Sequence, residues 1–145
     1  MVDPGVSVPE SLDEILGFHI RLAHGAVFRH FNDTSGALGL TQMQTSVLWL
    51  VSDEPGVSQV DIARRLQIDR ATMMAITNVL AKRGLLERGS STKDRRRQTL
   101  HLTPSGAVAL TAARQAVAAH EAWLKARFTP EEVGQLVALL RRIHG

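Results

Sequence analysis

Val57-Ser58-Gln59-Val60-Asp61-Ile62-Ala63-Arg64-Arg65-Leu66 reads as a short amphipathic helix that Ser58 can cap at its N-terminus. Gln67-Ile68-Asp69 follows as a tight turn, and Asp69 can cap a second helix. That helix is Arg70-Ala71-Thr72-Met73-Met74-Ala75-Ile76-Thr77-Asn78-Val79-Leu80-Ala81-Lys82-Arg83, and Gly84 stops it. Two apolar, strand-like pieces come next, Leu85-Leu86-Glu87-Arg88 and Thr99-Leu100-His101-Leu102. A polar, basic loop over residues 89–98 separates them. Two helices on a tight turn, followed by a basic hairpin, predict a winged helix-turn-helix.

Several pieces of this stretch form an ordered set. They are Asp61-Ile62-Ala63 with Leu66, then Asp69-Arg70-Ala71-Thr72, then Leu80, then Arg83-Gly84-Leu85-Leu86-Glu87-Arg88. The most specific piece is Asp94-Arg95-Arg96-Arg97-Gln98-Thr99-Leu100-His101-Leu102-Thr103 with Gly106. Together they resemble the MarR family of bacterial transcriptional regulators. The family's D-x-R wing motif falls on Asp94 and Arg96, and its L-x-L-T strand-to-helix exit falls on Leu100, Leu102 and Thr103. Each piece alone is weak; the set at this spacing is specific. The family's helical arms carry the resemblance over nearly the whole chain.

The chain has 145 residues, which suggests one domain, and its 44% hydrophobic and 21% charged residues are ordinary globular values. It has no cysteine, which excludes disulfides, thiolate chemistry and cysteine-based oxidant sensing. No apolar run approaches the roughly 20 residues that span a bilayer. Residues 1–9 lack a charged-then-apolar leader pattern, so a cytoplasmic protein with no membrane partner is expected. In that compartment the Asn32-Asp33-Thr34 sequon carries no meaning. Charge is uneven. Seven basic side chains (Lys82, Arg83, Arg88, Lys93, Arg95, Arg96 and Arg97) and two acidic ones (Glu87 and Asp94) leave residues 82–97 at +5. The rest of the chain is then at −2, against a total of +3. Positive charge is concentrated where a helix-turn-helix protein meets a polyanion.

Residues 1–9 contain proline and glycine and are expected to fray. Ser11-Leu12-Asp13-Glu14 has the form of a capping box and predicts a first helix to about Phe31, with Asn32-Asp33-Thr34-Ser35-Gly36 as a turn. Leu12, Ile15, Leu16, Ile20, Leu22, Ala23, Ala26 and Val27 form a broad apolar stripe on that helix, and His19 and His30 fall inside it. Thr41-Gln42-Met43-Gln44 is a second capping box, opening a helix with Met43, Val47, Leu50 and Val51 inward. In the helix after Ser58, Val60 or Ile62 should face inward with Ala63 and Leu66. After Asp69, the core stripe is Met73, Ile76 and Leu80. Thr103-Pro104 starts a long alanine-rich helix to about Phe128. Thr129-Pro130-Glu131-Glu132 starts the last helix, with Val133, Leu136, Val137, Leu140 and Ile143 as its stripe.

The expected fold class is therefore mainly α with a small β-hairpin wing. A winged helix-turn-helix lobe spans about residues 41–103 of a single MarR-type domain over 1–145. N- and C-terminal helices, about 10–32 and 104–145, form a dimerisation region. The arms carry more apolar surface than a small lobe can cover, which calls for a partner. In the resemblance the partner is a second copy.

On the second helix of the pair, Arg70, Ala71, Thr72, Met74, Ala75 and Asn78 are the outward positions for a major groove. Arg70 can pair with two acceptors on a guanine edge or with phosphate, and Thr72 can reach a phosphate. Many relatives carry arginine or polar residues farther along this face. Met74 and Ala75 stand there in this chain, able to touch thymine methyls or merely to pack. In the wing, Lys93, Asp94, Arg95, Arg96 and Arg97 are the candidates. The resemblance implies that Asp94 holds the Arg96 guanidinium for the minor groove.

His120-Glu121-Ala122-Trp123-Leu124 begins like a zincin helix, but Leu124 stands where the second histidine belongs. No Gly-rich phosphate loop or nucleophile elbow occurs, and no set of the six histidines has ligand spacing, so neither an enzyme nor a metal nor a cofactor is expected. The resemblance implies a repressor that binds a pseudo-palindromic double-stranded DNA operator as a homodimer. A small molecule releases it, often a phenolic or aromatic acid or its coenzyme A thioester. The implied pocket lies between the first, second and fifth helices, and its candidate lining is Phe18, His19, Arg21, His24, Met43, Val47 and Trp49. Two alternatives are a non-specific architectural DNA binder without an effector, and an adaptor whose basic hairpin meets an acidic protein.

Overall fold

The computed structural model describes residues 3–90 and 96–145. Among them the elements run α1 (Leu16–Ser35), α2 (Gln42–Asp53), α3 (Gln59–Leu66), α4 (Arg70–Lys82), β1 (Leu86–Ser90), β2 (Gln98–Leu102), α5 (Pro104–Lys125) and α6 (Pro130–His144). This is the mainly helical, winged architecture that the sequence predicts. The wing is antiparallel, with Leu86 opposite Leu102 and Ser90 opposite Gln98. The segment before α3 pairs with β2 as well: Leu100 donates its N–H to Val57 O (2.9 Å), and Gly56 donates to Leu100 O (3.0 Å). The helix-turn-helix is thereby sewn to the wing by backbone hydrogen bonds.

The core is shared by every element of the lobe. Val47, Leu48 and Val51 come from α2, Ile62 from α3, Met73 and Leu80 from α4, and Leu86 and Leu100 from the wing. Leu110 and Ala113 of α5 complete it, so the fifth helix is rooted in the lobe as well as in the arm. Ile62 is buried and Val60 is exposed, which resolves the two readings of α3. Leu48 and Thr77 are fully buried although periodicity did not select them. Thr77 is tolerated there because its hydroxyl donates to Met73 O one turn back (2.9 Å).

Most helix starts follow the sequence. Thr41 and Thr129 each form a capping box, with Gln44 and Glu132 respectively. Ser58, Asp69 and Thr103 each accept an N–H from the first turn of their helix. Gly84, at φ 73°, ends α4 in the left-handed region.

The first helix differs from expectation at both ends. Ser11 makes no side-chain cap, and residues Leu12–Glu14 form a single 3-10 turn. The Glu14 carboxylate instead accepts the Glu10 N–H (2.9 Å), and α1 begins at Leu16. At the other end α1 runs through Asn32-Asp33-Thr34 to Ser35. Thr34 returns its hydroxyl to His30 O (2.7 Å), a bond that a continuing helix allows, so this polar cluster does not break the chain.

The arm helices are apolar on surfaces that the chain itself leaves open. Leu12 before α1, Leu16 and Leu22 on α1, and Leu139 and Ile143 on α6 are 63%, 70%, 48%, 52% and 65% exposed. The C-terminal end of α6 returns to the lobe, where Gln67 Nε2 donates to His144 O (2.8 Å).

Gly106 tests the joint between wing and arm. It is buried in the first turn of α5, and a Cβ there would run into the Leu85 carbonyl. Gly106→Ala should cost on the order of 1–3 kcal/mol in chemical denaturation. Gly134→Ala, on an open stretch of α6 with nothing within 4 Å of the added carbon, should be neutral or gain up to about 1 kcal/mol.

Candidate nucleic-acid interface and effector cavity

The recognition helix α4 is fixed at its start by Asp69. Thr72 donates its N–H to Asp69 Oδ1 (2.7 Å) and its hydroxyl to Asp69 Oδ2 (3.0 Å). These bonds, the backbone one first, hold the Asp69 carboxyl below the ordinary carboxylate range. The hydroxyl proton of Thr72 is therefore already committed, leaving its oxygen lone pairs. Arg70, Ala71, Thr72, Met74, Ala75 and Asn78 are all exposed on α4. Met74 is also a packing partner, since the Gln59 side-chain amide lies against its sulfur at 4.0 Å. Asn78 Oδ1 accepts from Arg88 Nη2, which ties the middle of α4 to β1.

The root of the wing closes on the same region. Arg96 and Arg97 are exposed just before β2, and Arg97 Nη2 lies 3.8 Å from Asp61 Oδ1 on α3. The Ser58 hydroxyl, then Arg64 and Arg97, hold the Asp61 carboxyl below its usual range. Arg70, Arg96 and Arg97 line one notch of about 240 Å³, with Gln59, Met74 and Gln98. Three arginines that are up to 27 positions apart in sequence thus border one recess between α3, α4 and the wing. Gln59 was not singled out from the sequence; it is 9% exposed, and its Oε1 has no hydrogen-bond partner among the described residues. Lys93, Asp94 and Arg95 lie outside the described residues, and with them the Asp94–Arg96 pairing.

A second recess, of about 390 Å³, lies between arm and lobe. Helix α1 lines it with Val27 and Phe31, α2 with Thr45, Trp49 and Leu50, α3 with Leu66, and α5 with Val117, His120, Glu121 and Leu124. Trp49 is the member of the expected ligand set that lines this cavity. Val47 is instead fully buried in the core, and Met43 is 36% exposed on α2. Phe18, His19, Arg21 and His24 stand along α1, away from it. Arg21 lies over the Phe18 ring at 5.4 Å, and His24 stacks on Phe28 at 6.4 Å. His19 is exposed, with Nε2 2.7 Å from Asp13 O. His19, which falls inside the apolar stripe of α1 by spacing, is thus exposed; the buried imidazole with one nitrogen lacking a partner among the described residues is His120, on α5.

His120 is 5% exposed. Its Nδ1 lies 2.8 Å from His30 Nδ1, and its Nε2 has no partner among the described residues. His30 is itself stacked on Trp123 at 3.7 Å and 8°, and the Arg127 guanidinium covers that indole at 3.9 Å. Burial first, then the charge of a protonated His30, depresses the His120 pKa below its usual value. The sequence carried a partial signal for this group. Val117, His120 and Leu124 follow helical spacing, which puts the histidine on an inward face. Its partner is 90 residues away, beyond any local pattern.

A model of the MarR family matches residues 38–97. A candidate transcriptional regulatory protein for the hcr operon of Thauera aromatica is 37% identical over 130 residues, covering 89% of this chain and 78% of that one. The transcriptional repressor CouR bound to a 23-mer DNA duplex is 33% identical, with a TM-score of 0.87 over 97% of this chain and 100% of that chain. CouR bound to p-coumaroyl-CoA gives 33% and 0.85 over 94% and 96%. BpsR of Bordetella bronchiseptica, whose DNA binding is regulated by 6-hydroxynicotinic acid, gives 27% and 0.88 over 94% and 98%. The wing, the capped recognition helix and these relatives agree: the chain belongs to the MarR family of transcriptional regulators.

Proposed function

We propose that this regulator is a repressor that binds a pseudo-palindromic DNA operator as a homodimer. A small aromatic or phenolic acid, or its coenzyme A thioester, releases it. The observation that carries the DNA reading is the notch where Arg70, Arg96 and Arg97 converge beside the exposed face of α4. An arginine at the start of a groove-inserted helix reads or clamps, while arginines at the wing root follow the backbone or the minor groove. Ala71, Thr72, Met74, Ala75 and Asn78 complete the helix face, and Lys93, Asp94 and Arg95 the wing. The effector reading rests on the cavity between arm and lobe, and on neighbours that bind p-coumaroyl-CoA or respond to 6-hydroxynicotinic acid. Phe18, His19, Arg21 and His24 would join a ligand site only where a second subunit covers that face of α1. Ligand in the cavity would favour the lobe placement that does not fit two half-sites about 10 base pairs apart.

Competition binding tests the function. Duplex from the promoter region of the regulator's own gene should outcompete random duplex by orders of magnitude. Equal affinity would indicate an architectural binder, and no duplex binding at all an adaptor.

Arg96→Ala should weaken duplex binding and flatten its salt dependence by about one unit of slope. Asp94→Ala should weaken binding too, although it makes the protein more positive, because the carboxylate positions an arginine. Affinities at several salt concentrations check both signs, with folding followed by circular dichroism. Tighter binding by folded Asp94→Ala would reduce the wing to a cationic patch.

Removal of residues 129–145 takes away the exposed apolar side chains of α6. Size-exclusion chromatography with light scattering should then show monomer or aggregate where the full chain is a dimer. A well-behaved dimer from the truncated chain would contradict this use of the arms.

A further inference from the structure

The cavity between arm and lobe is lined mainly by apolar side chains, with Gln42, Ser46 and Glu121 among its polar members, and two of its lining residues each carry a buried polar atom with no partner among the described residues. These are Thr45 Oγ1 on α2 and His120 Nε2 on α5, in residues that are 3% and 5% exposed. Unpaired polar atoms in a closed core cost stability, and a ligand that satisfies both recovers that cost. The charge of the lining decides what the ligand presents. No lysine or arginine is among the described residues that line the cavity, whereas Glu121 is. Glu121 is paired with Lys125 at 3.1 Å, a lysine on the same helix. A carboxylate pushed to the buried end would meet no lysine or arginine among the described lining residues, a costly arrangement for a desolvated charge.

The imidazole pair sets the polarity further. His30 Nδ1 and His120 Nδ1 are 2.8 Å apart, so one proton is shared between them. With that proton on His120 Nδ1, Nε2 is a bare acceptor, and an under-used acceptor is tolerated in a core better than an orphaned N–H. Burial and the neighbouring His30 disfavour a second proton on His120.

We propose that the buried end of the effector is an uncharged hydroxyl, a phenol in an aromatic ligand, that donates to His120 Nε2 and is also read by the Thr45 hydroxyl. A hydroxyl can donate to a bare imidazole nitrogen and accept from a second hydroxyl; a carboxylate only accepts. Any acid or thioester end then faces the opening. This inference rests on the effector reading and sharpens it from aromatic acids in general to ligands that enter phenol first.

Three probes of similar size separate the chemistries: 4-ethylphenol, its methyl ether 4-ethylanisole, and 4-ethylbenzoate. Binding to the full chain is followed by tryptophan fluorescence, since Trp49 lines the cavity, and by ¹⁵N spectra of the histidines. 4-Ethylphenol should bind about tenfold or more tighter than either analogue. It should hold His120 in the Nδ1–H form. Thr45→Val should weaken 4-ethylphenol several-fold, leave 4-ethylanisole unchanged and raise the Tm of the free protein, because it deletes an unpaired buried hydroxyl. His120→Gln, a second and independent variant, should also erase the preference. The proposal is overturned by tighter or equal binding of the benzoate or the ether, by an Nε2–H signal for His120 in the phenol complex, or by no saturable binding of 4-ethylphenol. Operator release, measured in parallel, keeps the two readings apart. Release by an aromatic carboxylate without the phenol preference retains the effector role and removes this inference. Phenol binding as described without release does the reverse.

Discussion

The close approach of the first turn of α5 to the start of β1 is the contact on which the rest of the molecule depends. Thr103 donates its hydroxyl to Gly84 O (2.6 Å) and its N–H to Leu85 O (3.2 Å), and its hydroxyl oxygen accepts the Gly106 N–H (2.9 Å). One residue thereby ties the end of the recognition helix, the beginning of the wing and the start of the long arm. Gly106 is required because any side chain would occupy the space of the Leu85 carbonyl. A residue that stops α4, Gly84, and one that opens α5, Thr103, are thus bonded to each other across the wing, 19 positions apart.

That joint makes α5 a lever with one end in the winged helix-turn-helix lobe. Leu110 and Ala113 are packed into the lobe core, and His120 stands at the cavity farther along the same helix. From Thr103 to His120 the helix rises about 25 Å. The cavity has walls from the arm, in α1 and α5, and from the lobe, in α2 and α3. Its occupancy therefore bears on how arm and lobe sit against each other, a physical basis for coupling that needs no separate relay.

Two kinds of residue on α4 show what patterning can and cannot reach. Met73 and Leu80 are buried as the periodicity requires, and Arg70, Ala71 and Asn78 are exposed. Thr77, a polar residue, is nonetheless fully buried, because its hydroxyl finds a backbone acceptor inside its own helix. Ser11 failed in the opposite direction. Its capping-box pattern is sound, but Glu14 caps the Glu10 N–H instead, and a single turn of 3-10 helix replaces the expected start. Local signals near an unanchored end compete with one another, whereas those at Thr41, Ser58, Asp69, Thr103 and Thr129 are reinforced by the helices they begin.

The sequence by itself determined the helix-turn-helix, the wing strands, the helix caps other than that at Ser11, and the concentration of charge at residues 82–97. Those features arise from interactions within three or four positions, or from composition, and both are written along the chain. Of the cavity between arm and lobe it determined only Trp49. The tertiary structure decided the rest, because the cavity is made where four helices meet. His30 and His120 become a pair across 90 positions, and Thr45 Oγ1 and His120 Nε2 are buried with no partner among the described residues because other helices cover them. The same holds for the arginine notch: Arg70 and Arg97 were each legible as basic and exposed, but their meeting at one recess depends on β2 pairing back against the segment before α3.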